Sequence, residues 1–183
     1  MSLPSLDNWL LDVIRSDDAM MSWIEEYRFY FSAPLYRALR QIVNGATVII
    51  ITDKERMWFG HYIVQKFNKL SPSRPLIPLV RMEAIFGAFE GIESAMELDM
   101  LEDMLNITYC ENYLFWYVGK GDDRRADIAK RSEKNLLWVF DEEVPNSLLL
   151  PSYDTFLDVK LLHLYRLFDK AVNGALFGEF ELT

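Results

Sequence analysis

The sequence predicts an α/β domain with a three-layer, Rossmann-like architecture: a mostly parallel five-stranded sheet, helices on both of its faces, and a helical segment ahead of the first strand. One observation is the β-branched, apolar run at 46–53, whose lack of polar alternation is typical of a strand covered on both faces. We expect this strand at the centre of the sheet. The other observation is that strand-like runs alternate with helix-like segments, a pattern typical of parallel sheets.

The size and composition of the chain favour one domain. Its 183 residues, 51% of them hydrophobic and 14% aromatic, suffice for a full core, so residues 1–183 are expected to form a single unit. The same apolar content indicates that some surface is buried between subunits, which predicts a homo-oligomer.

Apolar residues recur at helical spacing in three segments before the first strand, at 6–14, 20–30 and 34–43. Ser5 is a candidate cap for the first helix. The second is expected to break just before Pro34, which suits the first turn of a third helix. Tyr30 and Val43 are expected to face inward, and Gly45 to end the third helix.

After the first strand, Thr52 and Glu55 have the spacing of a capping box, which predicts a helix from Lys54 to about Leu70. A turn-rich linker at 71–75 follows. The run at 76–80 predicts a second strand, and Pro78 indicates either an edge strand or a bulge.

The second half continues the alternation of elements. Short helices are predicted at 82–89 and 122–132, an acidic helix at 96–105, strands at 113–118, 136–140 and 147–150, and a long last helix at 155–173. The acidic helix is expected to present Met96, Met100, Leu101, Met104 and Leu105 on one face. The last helix is apolar around most of its circumference, so we expect the sheet to cover one side and a second copy of the chain the other.

Charge and cysteine content limit the functional classes. A net charge of −9 with scattered basic residues disfavours direct binding of nucleic acid. The single Cys110 is expected to be a packed, inert thiol in a reducing compartment. No long apolar run predicts a membrane span or a leader, so a cytoplasmic protein is expected.

The best candidates for chemistry follow two predicted strands. Gly119-Lys120-Gly121 could form a phosphate loop, because glycines let backbone amides converge on an anion, although the acidic Asp122 and Asp123 come next. Thr52 and Asp53 end the first strand, where open α/β sheets place a ligand crevice. Asp53 could be a general base or a ribose ligand, or simply a carboxylate at a helix start.

The other reactive side chains form no catalytic or metal-binding pattern. His61 and His163 lie in predicted helices without a Ser, Cys or His at motif spacing. The carboxylates of the acidic helix at 96–105 are expected to form a solvated face. No cofactor, metal or catalytic residue is therefore predicted.

Four segments carry a family resemblance: 9–15, 47–54 with Trp58 and Phe59, 113–121, and 161–170. Together they resemble the HobA family, bacterial regulators of replication initiation that bind DnaA. The resemblance implies a fold similar to sugar isomerase (SIS) domains, a homotetramer, and binding to the N-terminal domain of DnaA that gathers initiator molecules at the origin. It implies no enzymatic activity.

A related SIS-type family of initiator-binding proteins, DiaA, has a Leu-Phe pair at the end of its last helix that is associated with DnaA contact. Leu176 and Phe177 match that pair in type and position, so the resemblance implies a partner-binding site there. Two alternatives stay open. One is a SIS-type sugar-phosphate isomerase or sensor that uses the strand-end crevice, and the other is a structural oligomer with an unknown protein partner.

Overall fold

The computed structural model describes residues 3–17, 21–69 and 74–182. These residues form a five-stranded sheet in the order β2-β1-β3-β4-β5, in which every neighbouring pair is parallel. Its strands are β1 (Thr47–Thr52), β2 (Leu79–Arg81), β3 (Tyr113–Lys120), β4 (Asn135–Phe140) and β5 (Ser147–Leu150). The predicted α/β class and parallel five-stranded sheet are confirmed.

The central strand is β3 rather than β1, so the predicted position of the 46–53 run is wrong in detail. β1 lies inside the sheet, between β2 and β3, and both of its faces are buried as expected. A β-branched run indicates that both faces of a strand are covered. It does not indicate how many other strands lie to each side of it in the sheet.

Helices cover both faces of the sheet, which confirms the three layers. On one face lie α1 (Leu6–Ser16), α2 (Trp23–Val43), α3 (Met57–Phe67) and α7 (Leu157–Phe177), around a core that includes Trp116 and Trp138. On the other lie α4 (Met82–Ile85), α5 (Ala95–Tyr109) and α6 (Arg125–Arg131).

The N-terminal helices differ from the prediction at Pro34. α2 continues through this proline as one helix of 21 residues, so the expected break is absent. Pro34 removes one backbone donor, whose helical acceptor would be the carbonyl of Tyr30. Tyr30 is exposed, contrary to expectation, so water can reach this part of the helix, while the Pro34 ring is buried.

Other boundaries follow the prediction more closely. Ser5 caps α1 through a hydrogen bond from the Asn8 amide, and Gly45 ends α2 with a left-handed φ of 82°. Val43 is exposed rather than inward. The second strand is an edge strand, the first of the two alternatives that Pro78 indicated, but begins only at Leu79. Leu70 and the linker residues 71–73 lie outside the described residues, as does residue 20 of the second predicted helix.

α5 is longer than predicted and is rotated relative to the expected face. Ser94 and Glu97 form a capping box at its start. Leu101 and Leu105 are buried, whereas the methionines expected beside them are exposed.

The last helix extends past its predicted end to Phe177, and Gly178 stops it with a φ of 68°. α1 and α2 of the same chain pack against a second side of this helix. Trp23 Nε1 donates to His163 Nδ1 at 3.4 Å, and Lys170 Nζ lies 2.7 Å from the Asp17 carboxylate.

Gly174 leaves no room for a side chain between α7 and its neighbours. A Cβ atom there would lie 2.8 Å from the Phe180 ring and 3.0 Å from Trp9. Gly174→Val should therefore lower the free energy of unfolding by about 2 kcal/mol through overpacking. Chemical denaturation followed by circular dichroism measures the change.

The matched control is Gly87→Val, because nothing lies within 4 Å of a Cβ atom at Gly87. We expect it to change the free energy of unfolding by less than about 0.5 kcal/mol. Equal losses in both variants would contradict the close approach at Gly174.

Candidate functional site

The fold brings the predicted strand-end residues together. β1 and β3 are adjacent and in register, with Thr52 opposite Val118, so Asp53 lies beside Gly119 and Lys120 at the carboxyl edge of the sheet. Open α/β sheets commonly place ligands at this edge. The hydrogen bonds and ion pairs of these residues determine whether the crevice can bind a ligand here.

Asp53 is the buried centre of this crevice, with 3% of its surface exposed. Its Oδ1 accepts a hydrogen bond from the Arg56 amide at 2.9 Å. Its Oδ2 accepts from the Lys120 amide at 2.9 Å and from Arg56 Nη1 at 3.3 Å. The carboxylate thus ties the start of the α3 segment to the end of β3.

The predicted capping box at Thr52 and Glu55 is wrong, because Asp53 performs the capping. It is the N-cap of a 3₁₀ turn, Lys54–Arg56, that leads into α3. The Glu55 carboxylate instead faces Arg56 and Lys120, the latter with Nζ 3.3 Å away. Asp and Thr are both common N-cap residues. The sequence pattern alone therefore did not decide whether Thr52 or the next residue, Asp53, is the cap.

Burial raises the pKa of the Asp53 carboxyl, and the Lys120 amide together with the charge and amide of Arg56 counteracts that rise. All of the contacts to its oxygens come from donors, so the ionised form matches the site. These contacts are those of a helix-start anchor that ties Arg56 to Lys120.

The glycines of the predicted phosphate loop make room for carboxylates instead of for an anion. Gly119 and Lys120 belong to β3 itself. A Cβ atom at Gly119 would lie 2.8 Å from the Asp53 carboxyl carbon, and one at Gly121 would collide with Glu142. In a phosphate loop the Lys120 amide would donate a hydrogen bond to the phosphate. Here it donates to the Asp53 carboxylate.

The cations at this edge also face carboxylates. Arg56 pairs with Asp53, Lys120 with Glu55, and Arg125 with Glu90 at 2.7 Å. These three pairings occupy the cations nearest Asp53, which does not favour the sugar-phosphate alternative.

The second predicted site, Leu176 and Phe177, forms the last turn of α7. The structure separates their roles: Leu176 is partly buried against the first core, whereas Phe177 is 58% exposed. The chain then reverses at Gly178 and packs onto α1. Trp9 Nε1 donates to the Glu179 carboxylate at 3.0 Å, and the Trp9 and Phe180 rings lie 4.9 Å apart. Phe177 is thus an apolar side chain held on a rigid support.

Comparison with known proteins gives the family. A family model described as "HobA: DNA replication regulator" matches residues 1–182. The chain belongs to the HobA family of DNA replication regulators. This confirms the resemblance stated from the four sequence segments.

Individual HobA relatives match over nearly the whole chain. The DNA replication regulator protein HobA of Helicobacter pylori (strain ATCC 700392 / 26695) is 27% identical over 181 residues, covering 96% of this chain and 97% of the relative. The crystal structure of a HobA–DnaA (domain I–II) complex from Helicobacter pylori matches with a TM-score of 0.75 and 25% identity, over 95% of this chain and 97% of that chain.

A crystal structure of Helicobacter pylori HobA matches in fold, with a TM-score of 0.74 and 24% identity over 98% of this chain and 99% of that one. These matches agree with the α/β fold described above. The more specific SIS-like description is compatible with them and stays a prediction.

Sequence reasoning missed an exposed group beside the edge strand β5. We call it the aromatic cluster, and it consists of Phe29, Tyr30, Leu149 and Tyr153, all of them exposed. Tyr30 and Leu149 line both of two neighbouring depressions of about 580 and 720 Å³. The adjacent Phe29-Tyr30 pair was a usable signal, because a helix can turn only part of its surface inward.

Within residues 3–17, 21–69 and 74–182, no three His, Cys, Asp or Glu side chains are placed to hold a metal ion. Cys110 is exposed at the end of α5 rather than packed as predicted. Across the same part of the chain, none of the helices combines the length and apolar character needed to cross a membrane.

Removing the Asp53 charge tests its structural role. Asp53→Asn should lower the free energy of unfolding by about 2 to 4 kcal/mol, because an amide NH₂ would face existing donors and Arg56 would lose its buried partner. Urea denaturation measures the change.

Asp122→Asn is the control, since Asp122 is exposed in the same region and its loss should change stability by less than about 0.5 kcal/mol. If Asp53→Asn were equally mild, the anchor role of Asp53 would be wrong.

Proposed function

We propose that this chain is a non-enzymatic, oligomeric adaptor that binds the N-terminal domain of the replication initiator DnaA and promotes its assembly at the origin. The observation that carries the proposal is the match, over 95% of the chain, to HobA in a HobA–DnaA (domain I–II) complex. Residues 1–183 would act as a single SIS-like domain in the cytoplasm.

The charge of the chain supports an adaptor role. A net charge of −9 repels phosphate backbones, so the protein can hold a DNA-binding partner without competing with it for DNA. The ion pairs of Arg56, Lys120 and Arg125 at the strand-end crevice support a function at the surface rather than at a catalytic centre.

Phe177 is the residue we propose as a DnaA contact. It is a large apolar side chain in the last turn of a long helix, so little conformational freedom is lost when a partner covers it. Leu176 supports it from below, because Leu176 packs partly into the first core.

The DnaA contact is tested by calorimetry with the isolated N-terminal domain of DnaA. We expect Phe177→Ala to weaken binding at least about tenfold, as for an interface anchor, with an unchanged circular dichroism spectrum. Leu176→Ala is less informative, since it also disturbs the core.

Phe156→Ala is the matched control, because Phe156 is 66% exposed just before the first turn of the same helix. It should leave the affinity unchanged. Equal affinities for wild type and Phe177→Ala would discard Phe177 as a contact, whereas no binding by the wild type at high micromolar concentration would discard DnaA as the partner.

We further propose that the aromatic cluster joins subunits of a homotetramer. Interfaces are enriched in Tyr and Phe, and these residues lie exposed beside one another at an edge strand. Several copies of one DnaA site at fixed spacing would raise the local concentration of bound initiator without any new contact.

Sedimentation velocity tests the assembly. The wild type should sediment as a multiple of its 21.5 kDa mass, and Tyr30→Ala combined with Tyr153→Ala should shift it to smaller species. Leu76→Ala, at an exposed leucine outside the cluster, should leave the assembly intact. A monomeric wild type would contradict the oligomer, and an unchanged double variant would contradict this interface.

A further inference from the structure

α5 buries little of its apolar surface. Of its fifteen described residues, only Leu101 and Leu105 are buried. Met96, Met100, Met104 and Ile107 stand at positions i, i+4, i+8 and i+11, so they share one face of the helix. Exposure is 69% at Met96, 62% at Met100 and 81% at Ile107.

This face forms one wall of a groove. The other wall is the segment between α4 and α5, which contributes Phe86 and Ile92. The groove encloses about 550 Å³ and lies on the second face of the sheet, away from α7 and Phe177. We call it the methionine groove.

The rim of the methionine groove is acidic. Glu97 and Asp103 line it, and no Lys or Arg does so among the described residues. Hydrogen bonds from the Glu93 amide and from Ser94 hold the pKa of Glu97 below its ordinary value, so its carboxylate is charged at neutral pH. Asp99, on the same helix, pairs with Arg131.

This charge pattern argues against α5 of a second copy in the groove. α5 has four acidic residues and no basic one, so two α5 helices packed face to face would bring like charges together. A basic segment would instead complement the rim. Methionine side chains are flexible and polarisable, and they suit surfaces that adapt to an apolar helix face.

We propose that the methionine groove binds a basic amphipathic helix of a partner protein. The partner's apolar residues, spaced i, i+3, i+4 and i+7, would enter between α5 and the Phe86–Ile92 wall. Its lysines and arginines would meet Glu97 and Asp103. α5 is about 22 Å long, which matches four turns of the incoming helix. This contact is additional to the DnaA contact proposed at Phe177.

The probe is a synthetic peptide of about 15 residues with leucines at the helical spacing above and lysines elsewhere. Fluorescence anisotropy with the full chain at about 0.15 M salt measures binding, so that weak surface attraction is screened. Two comparison peptides have the same leucine pattern with Glu in place of Lys, and the same composition in scrambled order.

We expect the basic amphipathic peptide to bind with micromolar affinity and the two comparison peptides to bind at least about tenfold more weakly. Met100→Ala combined with Met104→Ala should weaken binding at least about tenfold, and Asp103→Lys should also weaken it. Val64→Ala, on α3 across the sheet, should leave it unchanged.

Two results would overturn the proposal. One is equal binding of the scrambled peptide or of the methionine double variant, which would reduce the interaction to nonspecific charge attraction. The other is a smaller assembly of the double variant in sedimentation velocity, which would show that a second copy occupies the groove. DnaA affinity of the same variant should equal that of the wild type, so the two surfaces are tested separately.

Discussion

Burial of β3 on both faces is the constraint on which the rest of the structure depends. Its residues alternate between the two cores, with Trp116 on one side and Tyr117 on the other. A parallel strand with two apolar faces needs helices above and below, and the crossover connections supply them. Trp116 contacts Trp138 of β4 and Phe168 of α7, with ring centroids 5.0 and 4.4 Å away, which joins the sheet to the last helix.

The two faces are covered unequally, and this explains where free surface remains. Four helices pack on the Trp116 face, including the two long helices α2 and α7. On the Tyr117 face, α4 and α6 are short and α5 contributes only two buried leucines. The thinner layer leaves the methionine groove open. In the thicker layer, Phe29 and Tyr30 of the aromatic cluster are exposed on α2, and Phe177 is exposed on α7.

The strand-end crevice shows how a common ligand position can be used for folding. Asp53 occupies the space that Gly119 leaves open, and its oxygens accept two backbone amides and a guanidinium. The Arg56 and Lys120 amides and the Arg56 guanidinium are thereby engaged by Asp53 rather than by an anionic ligand. The function proposed above uses outward-facing side chains on helices, which can bind partners with little loss of conformational entropy.

The sequence by itself determined the elements that depend on local chemistry. Runs of apolar residues predicted all five strands, Gly45 predicted a helix end, and Pro78 indicated an edge strand or a bulge, because these effects act within a few residues. The residues that met at the strand end were also predicted, since parallel strands end at one edge. Tertiary structure alone decided the rest. α2 continues through Pro34 beside an exposed Tyr30, Asp53 rather than Thr52 caps the next turn, and Leu101 but not Met100 faces the sheet. Each of these outcomes depends on what lies across from a side chain in space, which the order of residues along the chain does not specify.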